Sequence, residues 1–115
     1  MNPGQTWDYH GFTVWDGLRP GDSHRWQYFF VVSREGEKKL TYCVWADKDS
    51  WLSPITSQSG AEEEALKKAV PLMREKGTDR VKEKINKEDF TSTVLRLEGE
   101  ETEEIQLDNI EEKLT

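Results

Sequence analysis

The run from Arg25 to Arg34 constrains this chain more than any other feature. Side chains alternate through it with period two: Trp26, Tyr28, Phe30 and Val32 fall on one side, and Arg25, Gln27, Phe29, Val31 and Ser33 on the other. It reads as a strand with one wholly apolar face and one mixed face. After Glu35, Gly36 and Glu37, a loop of hairpin length, a second alternation sets Leu40, Tyr42, Val44 and Ala46 against Thr41, Cys43, Trp45 and Asp47. These two strands are expected to pair antiparallel. Upstream, Tyr9 to Trp15 carries closely spaced aromatic and β-branched residues and reads as a first strand. It is expected to stop at the turn formers Asp16, Gly17, Pro20, Gly21 and Asp22.

The chain changes character after Trp51. Of its twelve Trp, Tyr and Phe residues only Phe90 lies beyond that point, so the second half must cover what the first half exposes. Residues 47–60 read as a long polar connection. A helix then opens with Ser59 as cap and Glu62 as the reciprocal partner of a capping box. Its buried stripe is Ala61, Ala65, Leu66, Ala69, Val70 and Met73, with a kink or restart at Pro71 and an end at Gly77. Val81 and Ile85 support a second, weaker helix within residues 78–89. Thr91 to Leu97 alternates as a fourth strand, and Glu98, Gly99 and Glu100 turn the chain. Ile105 and Leu107 suit a short strand, and Leu107, Ile110 and Leu114 a turn of helix. The expected class is α+β: an antiparallel sheet of four or five strands in the order β-β-β-α-(α)-β-(β), with one or two helices on one face, either open or curled into a partial barrel.

With 115 residues the chain is expected to be one domain, 1–115. Its charge of −7 is local. Residues 98–115 hold eight acids against Lys113, and residues 1–97 balance at zero. This acidic C-terminal segment is expected either to dock as strand and helical turn or to meet a basic partner surface. No run approaches the ~18 apolar residues of a spanning helix, no basic-then-apolar leader follows Met1, and Cys43 is alone, so a soluble cytoplasmic protein is expected.

Most chemistries fail on spacing. His10, His24, Asp8, Asp16 and Asp22 match no zinc pattern, and a calcium loop beginning at Asp47 and Asp49 meets Trp51, Leu52 and Gln58 where it needs an acid, a glycine and an acid. Cys43 lies between Tyr42 and Val44, where a thiol is an inert core residue rather than a nucleophile for His10 or His24. The serines of residues 47–60 sit in no Gly-x-Ser-x-Gly turn, and no phosphate-cradling glycine loop is present. Asp8, Asp16 and Asp47 are the acids nearest the aromatic strands, but they name no reaction. No cofactor and no metal are expected. Nucleic acid is disfavoured because residues 1–59 hold six bases against seven acids.

Two functions remain. The first is a small non-catalytic module that binds a protein partner, through the acidic end or through an edge strand, either the first or the one ending at Leu97. The second is an aromatic cup for a small apolar ligand, or a small enzyme, with Trp15, Trp26, Tyr28, Phe29 and Trp45 as walls and His10, His24 and Asp16 near its mouth.

Overall fold

The computed structural model describes residues 4–19, 24–51, 61–98 and 101–106. In chain order these form β1 (Gln5–Tyr9), β2 (Phe12–Arg19), β3 (Arg25–Arg34), β4 (Glu37–Asp47), the single-turn α1 (Lys48–Trp51), α2 (Ala61–Asn86), β5 (Thr93–Glu98) and β6 (Glu101–Gln106). The class is α+β. Among the described residues one six-stranded mixed sheet runs in sequence order from β1 to β6 without closing into a barrel, and the long helix packs on one face.

The β3–β4 hairpin forms where the alternation places it. Glu35 and Gly36 both have positive φ, 54° and 80°, the signature of a two-residue type I′ turn whose twist matches the flanking strands. His10 and Gly11 repeat this geometry, with φ of 49° and 84°. The stretch read as one strand from Tyr9 to Trp15 is therefore a second hairpin, and β1 adds an unexpected strand. Asp16 and Gly17 are not a turn. They continue β2, paired with Phe30 and Phe29 of β3.

Helix α2 runs unbroken through Pro71 and Gly77, so the two expected helices are one. Ala65, Ala69, Met73, Gly77, Val81 and Ile85, each four residues apart, form a buried ridge against the sheet. Gly77 is a point of closest approach: a Cβ there would lie 2.2 Å from the Phe30 ring. The helix ends instead at a Schellman arrangement. The Asp89 N–H donates to the Lys84 carbonyl and the Glu88 N–H to that of Ile85, with Glu88 at φ 52°.

The undivided helix also explains why β4 and β5 pair in parallel. Two helices folded back at Gly77 would return the chain to the exit end of β4 and give an antiparallel neighbour. One continuous helix carries it to the opposite end, as parallel crossovers require. Ile105 and its neighbours form strand β6 beside β5, so the strand ending near Leu97 is not an edge. The proposed cap at Ser59 and the turn of helix at Leu107, Ile110 and Leu114 lie outside the described residues.

The core lies between the sheet and α2. Phe12, Val14, Trp26, Tyr28, Phe30, Val32, Leu40, Tyr42, Val44, Leu95 and Leu97 are buried there, with Trp51 of α1 packed at its margin. A smaller cluster of Trp45, Val94 and Ile105, flanked by Cys43, forms on the other face.

Candidate functional site

Strand parity divides the aromatic residues between two surfaces. Trp26 and Tyr28 face α2 and are 5 % and 3 % exposed, whereas Trp15, Phe29 and Trp45 stand on the opposite face. The five aromatics do not line one cup. The polar residues expected at its mouth are also apart. His10 occupies the β1–β2 turn beside a cleft that includes Phe12, Arg34 and Asn86. His24 precedes β3, its carbonyl accepting the Lys48 N–H at 2.9 Å, and Asp16 is buried in the middle of β2.

On the helix-free face the aromatics carry a layer of arginines. Trp15 lies across two glycines: a Cβ on Gly4 or Gly17 would come within 2.8 Å of its ring. Arg19 stands 5.7 Å from the Trp15 centroid and 5.2 Å from that of Phe29, and Arg25 stacks 4.3 Å above Trp45. Arg96 donates to Asp47 from Nε at 3.0 Å and Nη2 at 2.5 Å, and approaches Glu103 at 3.7 Å. Phe29, Val31 and Cys43 are half-buried between them. No described helix covers this face; α1 and α2 both pack on the other. Burial pushes the Cys43 thiol up to about 12, against the opposing pull of Trp45 and Arg25, so it stays protonated and unreactive.

On the helix side, Asp16 joins four elements. Its Oδ1 accepts the Tyr28 hydroxyl at 2.5 Å and lies 3.7 Å from Arg74 Nε. Its Oδ2 accepts Trp7 Nε1 at 2.6 Å and Gln5 Nε2 at 3.3 Å. The carboxylate is fully buried and its oxygens are taken, so it acts as a clasp between β1, β2, β3 and α2. Burial raises the Tyr28 pKa, and the hydrogen bond to Asp16 raises it further. Clefts flank this clasp. One of ≈ 530 Å³ is bounded by Leu18, Tyr28, Leu66, Val70 and Pro71, with Glu63 and Lys67 at its rim. Another of ≈ 320 Å³ lies between Gln5, Thr6 and Trp7 of β1 and Arg74, Thr78 and Lys82 of α2.

The acidic end is engaged within the chain as far as β6. Glu104 accepts from the Tyr42 hydroxyl at 2.6 Å, Arg80 Nε at 2.7 Å and Thr93 Oγ1 at 2.7 Å. Burial works against its charge, but these donors outweigh it and hold its pKa below the ordinary value. Among the described residues no three His, Cys, Asp or Glu side chains come close enough to hold a metal, and no helix is long and apolar enough to cross a membrane.

The Asp16 clasp and the Arg74–Thr78–Lys82 row escaped the sequence reading. Parity with Phe12 and Val14 carried the signal that Asp16 points inward, and the dipeptide with Gly17 masked it. Comparison with protein-family models, curated proteins and solved structures gave no match.

Proposed function

We propose that this chain is a non-catalytic protein-interaction module of a reducing compartment such as the cytoplasm, and that its contact surface is the helix-free face of the sheet. The observation that carries this reading is that Trp15, Phe29 and Val31 stand partly exposed, beside the buried Trp45, on a face to which no described helix is applied. A two-layer α+β domain covers one face of its sheet, and large apolar side chains on the other are the usual mark of an interface.

The chemistry of this face favours a partner that offers apolar groups beside acids, because Arg19 and Arg25 stand over the aromatics, whereas Arg96 is already paired with Asp47. A partner with a basic surface, meeting the acidic end, has weaker support: Glu103 and Glu104 are already close to Arg96 and Arg80.

Affinity capture with matched variants tests this. Phe29→Ser with Val31→Thr removes the apolar centre, and Arg19→Glu inverts one rim charge without touching the core. Lys67→Ser on α2 is the control, and circular dichroism confirms the fold of each. A protein retained by the native chain and the control but lost by both face variants supports the module. An identical retention profile for all four overturns it. The apolar recess beside Leu18, Leu66 and Val70 would then favour the second reading, a small apolar ligand, to be screened by Trp fluorescence.

A further inference from the structure

We propose that the cleft between β1 and the middle of α2 binds a small phosphate monoester. Arg74, Thr78 and Lys82 stand four residues apart and form one row on the helix, facing Gln5, Thr6 and Trp7 of the edge strand across ≈ 320 Å³. Arg74 and Lys82 are separated by about 12 Å along the axis, with Thr78 midway, so two long side chains can converge over one hydroxyl.

Each donor is available. The nitrogen of Arg74 that approaches Asp16 is Nε, at 3.7 Å, which leaves the two terminal nitrogens for an oxyanion. Lys82 has no acidic partner within 4 Å among the described residues; the same holds for Lys68 and Lys76 of the helix, but of these three Lys82 is the one that lines this cleft. Its ammonium rests instead near the rings of Trp7 and Tyr9, 5.8 and 5.4 Å from their centroids. The Thr78 hydroxyl makes no hydrogen bond among the described residues. In a chain with a net charge of −7, this leaves at one recess the Lys82 ammonium, a hydroxyl, and the outer edge of a guanidinium whose charge also faces the buried Asp16.

The ligand class follows from matching groups. Guanidinium, ammonium and hydroxyl are three donors, and a phosphate monoester presents three terminal oxygens with up to two negative charges. A carboxylate offers two oxygens and one charge. Trp7 argues for an ester over free phosphate. Its indole N–H is committed to Asp16, which fixes the ring as an apolar wall beside the donors, where the organic group would lie.

The test is titration of the full chain with phenyl phosphate, inorganic phosphate and benzoate, followed by amide and indole NMR shifts. Phenyl phosphate is expected to bind saturably and shift the Thr78 amide and the Trp7 indole. Lys82→Gln should weaken it about tenfold, as expected for the loss of one charge-assisted hydrogen bond. Lys67→Gln, facing the other cleft, should leave it unchanged. No saturable shift at millimolar phenyl phosphate overturns the site. Equal weakening by Lys67→Gln also overturns it, by showing a diffuse charge effect. Benzoate or inorganic phosphate binding as tightly as phenyl phosphate overturns the assignment to a phosphate monoester.

Discussion

Gly77 and Phe30 meet so closely that a Cβ on the glycine would lie 2.2 Å from the ring, with a Val44 methyl at 2.8 Å. Elsewhere in a helix, Gly→Ala gains about 1 kcal/mol of stability. Here that gain is opposed by overpacking that costs about 1–3 kcal/mol. Gly77→Ala is expected to be destabilising by about 1 kcal/mol net in urea titrations, and Phe30→Leu in the same chain should recover part of the loss. A gain of the full propensity term would show that the ring moves aside freely.

Asp16 predicts a larger effect. Asp16→Asn removes the charge that accepts from Tyr28, Trp7 and Gln5, and turns a donor toward groups that are themselves donors. A loss of about 2–3 kcal/mol is expected, and Tyr28→Phe should cost somewhat less because only one partner disappears. Denaturation midpoints at constant slope are the readout. A cost under about 0.5 kcal/mol, the size of an ordinary surface change, would show that the clasp holds nothing.

Glu104 predicts how stability varies with pH. Its folded-state pKa lies below the ordinary value of 4.5, so its contribution is present above that value and is lost as pH falls through the folded one. The native chain should therefore lose stability on acidification below the ordinary glutamate range. Glu83 and Asp89, also held low by their donors, act in the same direction. The measurement is the difference between the native chain and Glu104→Gln from neutral pH to about pH 3, which should shrink on acidification. A constant difference would contradict the assignment.

Cys43 should behave as a buried thiol. With its pKa pushed up to about 12 by burial, a thiol reagent at about pH 8 should modify it slowly in the folded protein and rapidly in urea. Fast labelling without denaturant would mean that the helix-free face opens around it.

Pro71 is exposed within an unbroken helix, where it removes one backbone donor and crowds the preceding turn. Pro71→Ala is expected to raise the melting temperature, with a gain of about 1–3 kcal/mol. A lower melting temperature would identify a bend at this point as part of the core packing.

Much of the fold was legible because its strongest elements obey single periodicities. The alternation of Trp26 to Val32 and of Leu40 to Ala46 placed β3, β4 and their turn, since period two and a two-residue loop are local properties. What failed was punctuation. His10 and Gly11 hide a hairpin inside an apolar stretch, whereas Asp16 with Gly17, and Gly77, look like breaks but sit where tertiary contacts need them. Gly17 lies under the Trp15 ring, and Gly77 lets the helix approach Phe30. The Phe30 contact comes from a residue 47 positions away, so no local rule contains it. The candidate cup suffered from the same limit in another form. Its aromatics were chosen by type, while the odd and even positions of Tyr28 and Phe29 already assigned them to opposite faces. The row of Arg74, Thr78 and Lys82 becomes visible only once the helix is known to pass Gly77.

The parallel pairing of β4 with β5 has a consequence for how the protein comes to be folded. The four N-terminal strands are joined by short connections and can assemble from near-neighbour contacts, as can the β5–β6 hairpin. Joining the two halves requires the whole stretch from Lys48 to Ser92 to be closed as a loop before β4 finds β5, an entropic barrier that local contacts do not offset. During synthesis the aromatic meander therefore emerges before the helix that covers it, with the edge of β4 unpaired. That interval is when this chain is most exposed to self-association, and chaperone demand should depend more on the speed with which α2 docks than on the final stability of the fold.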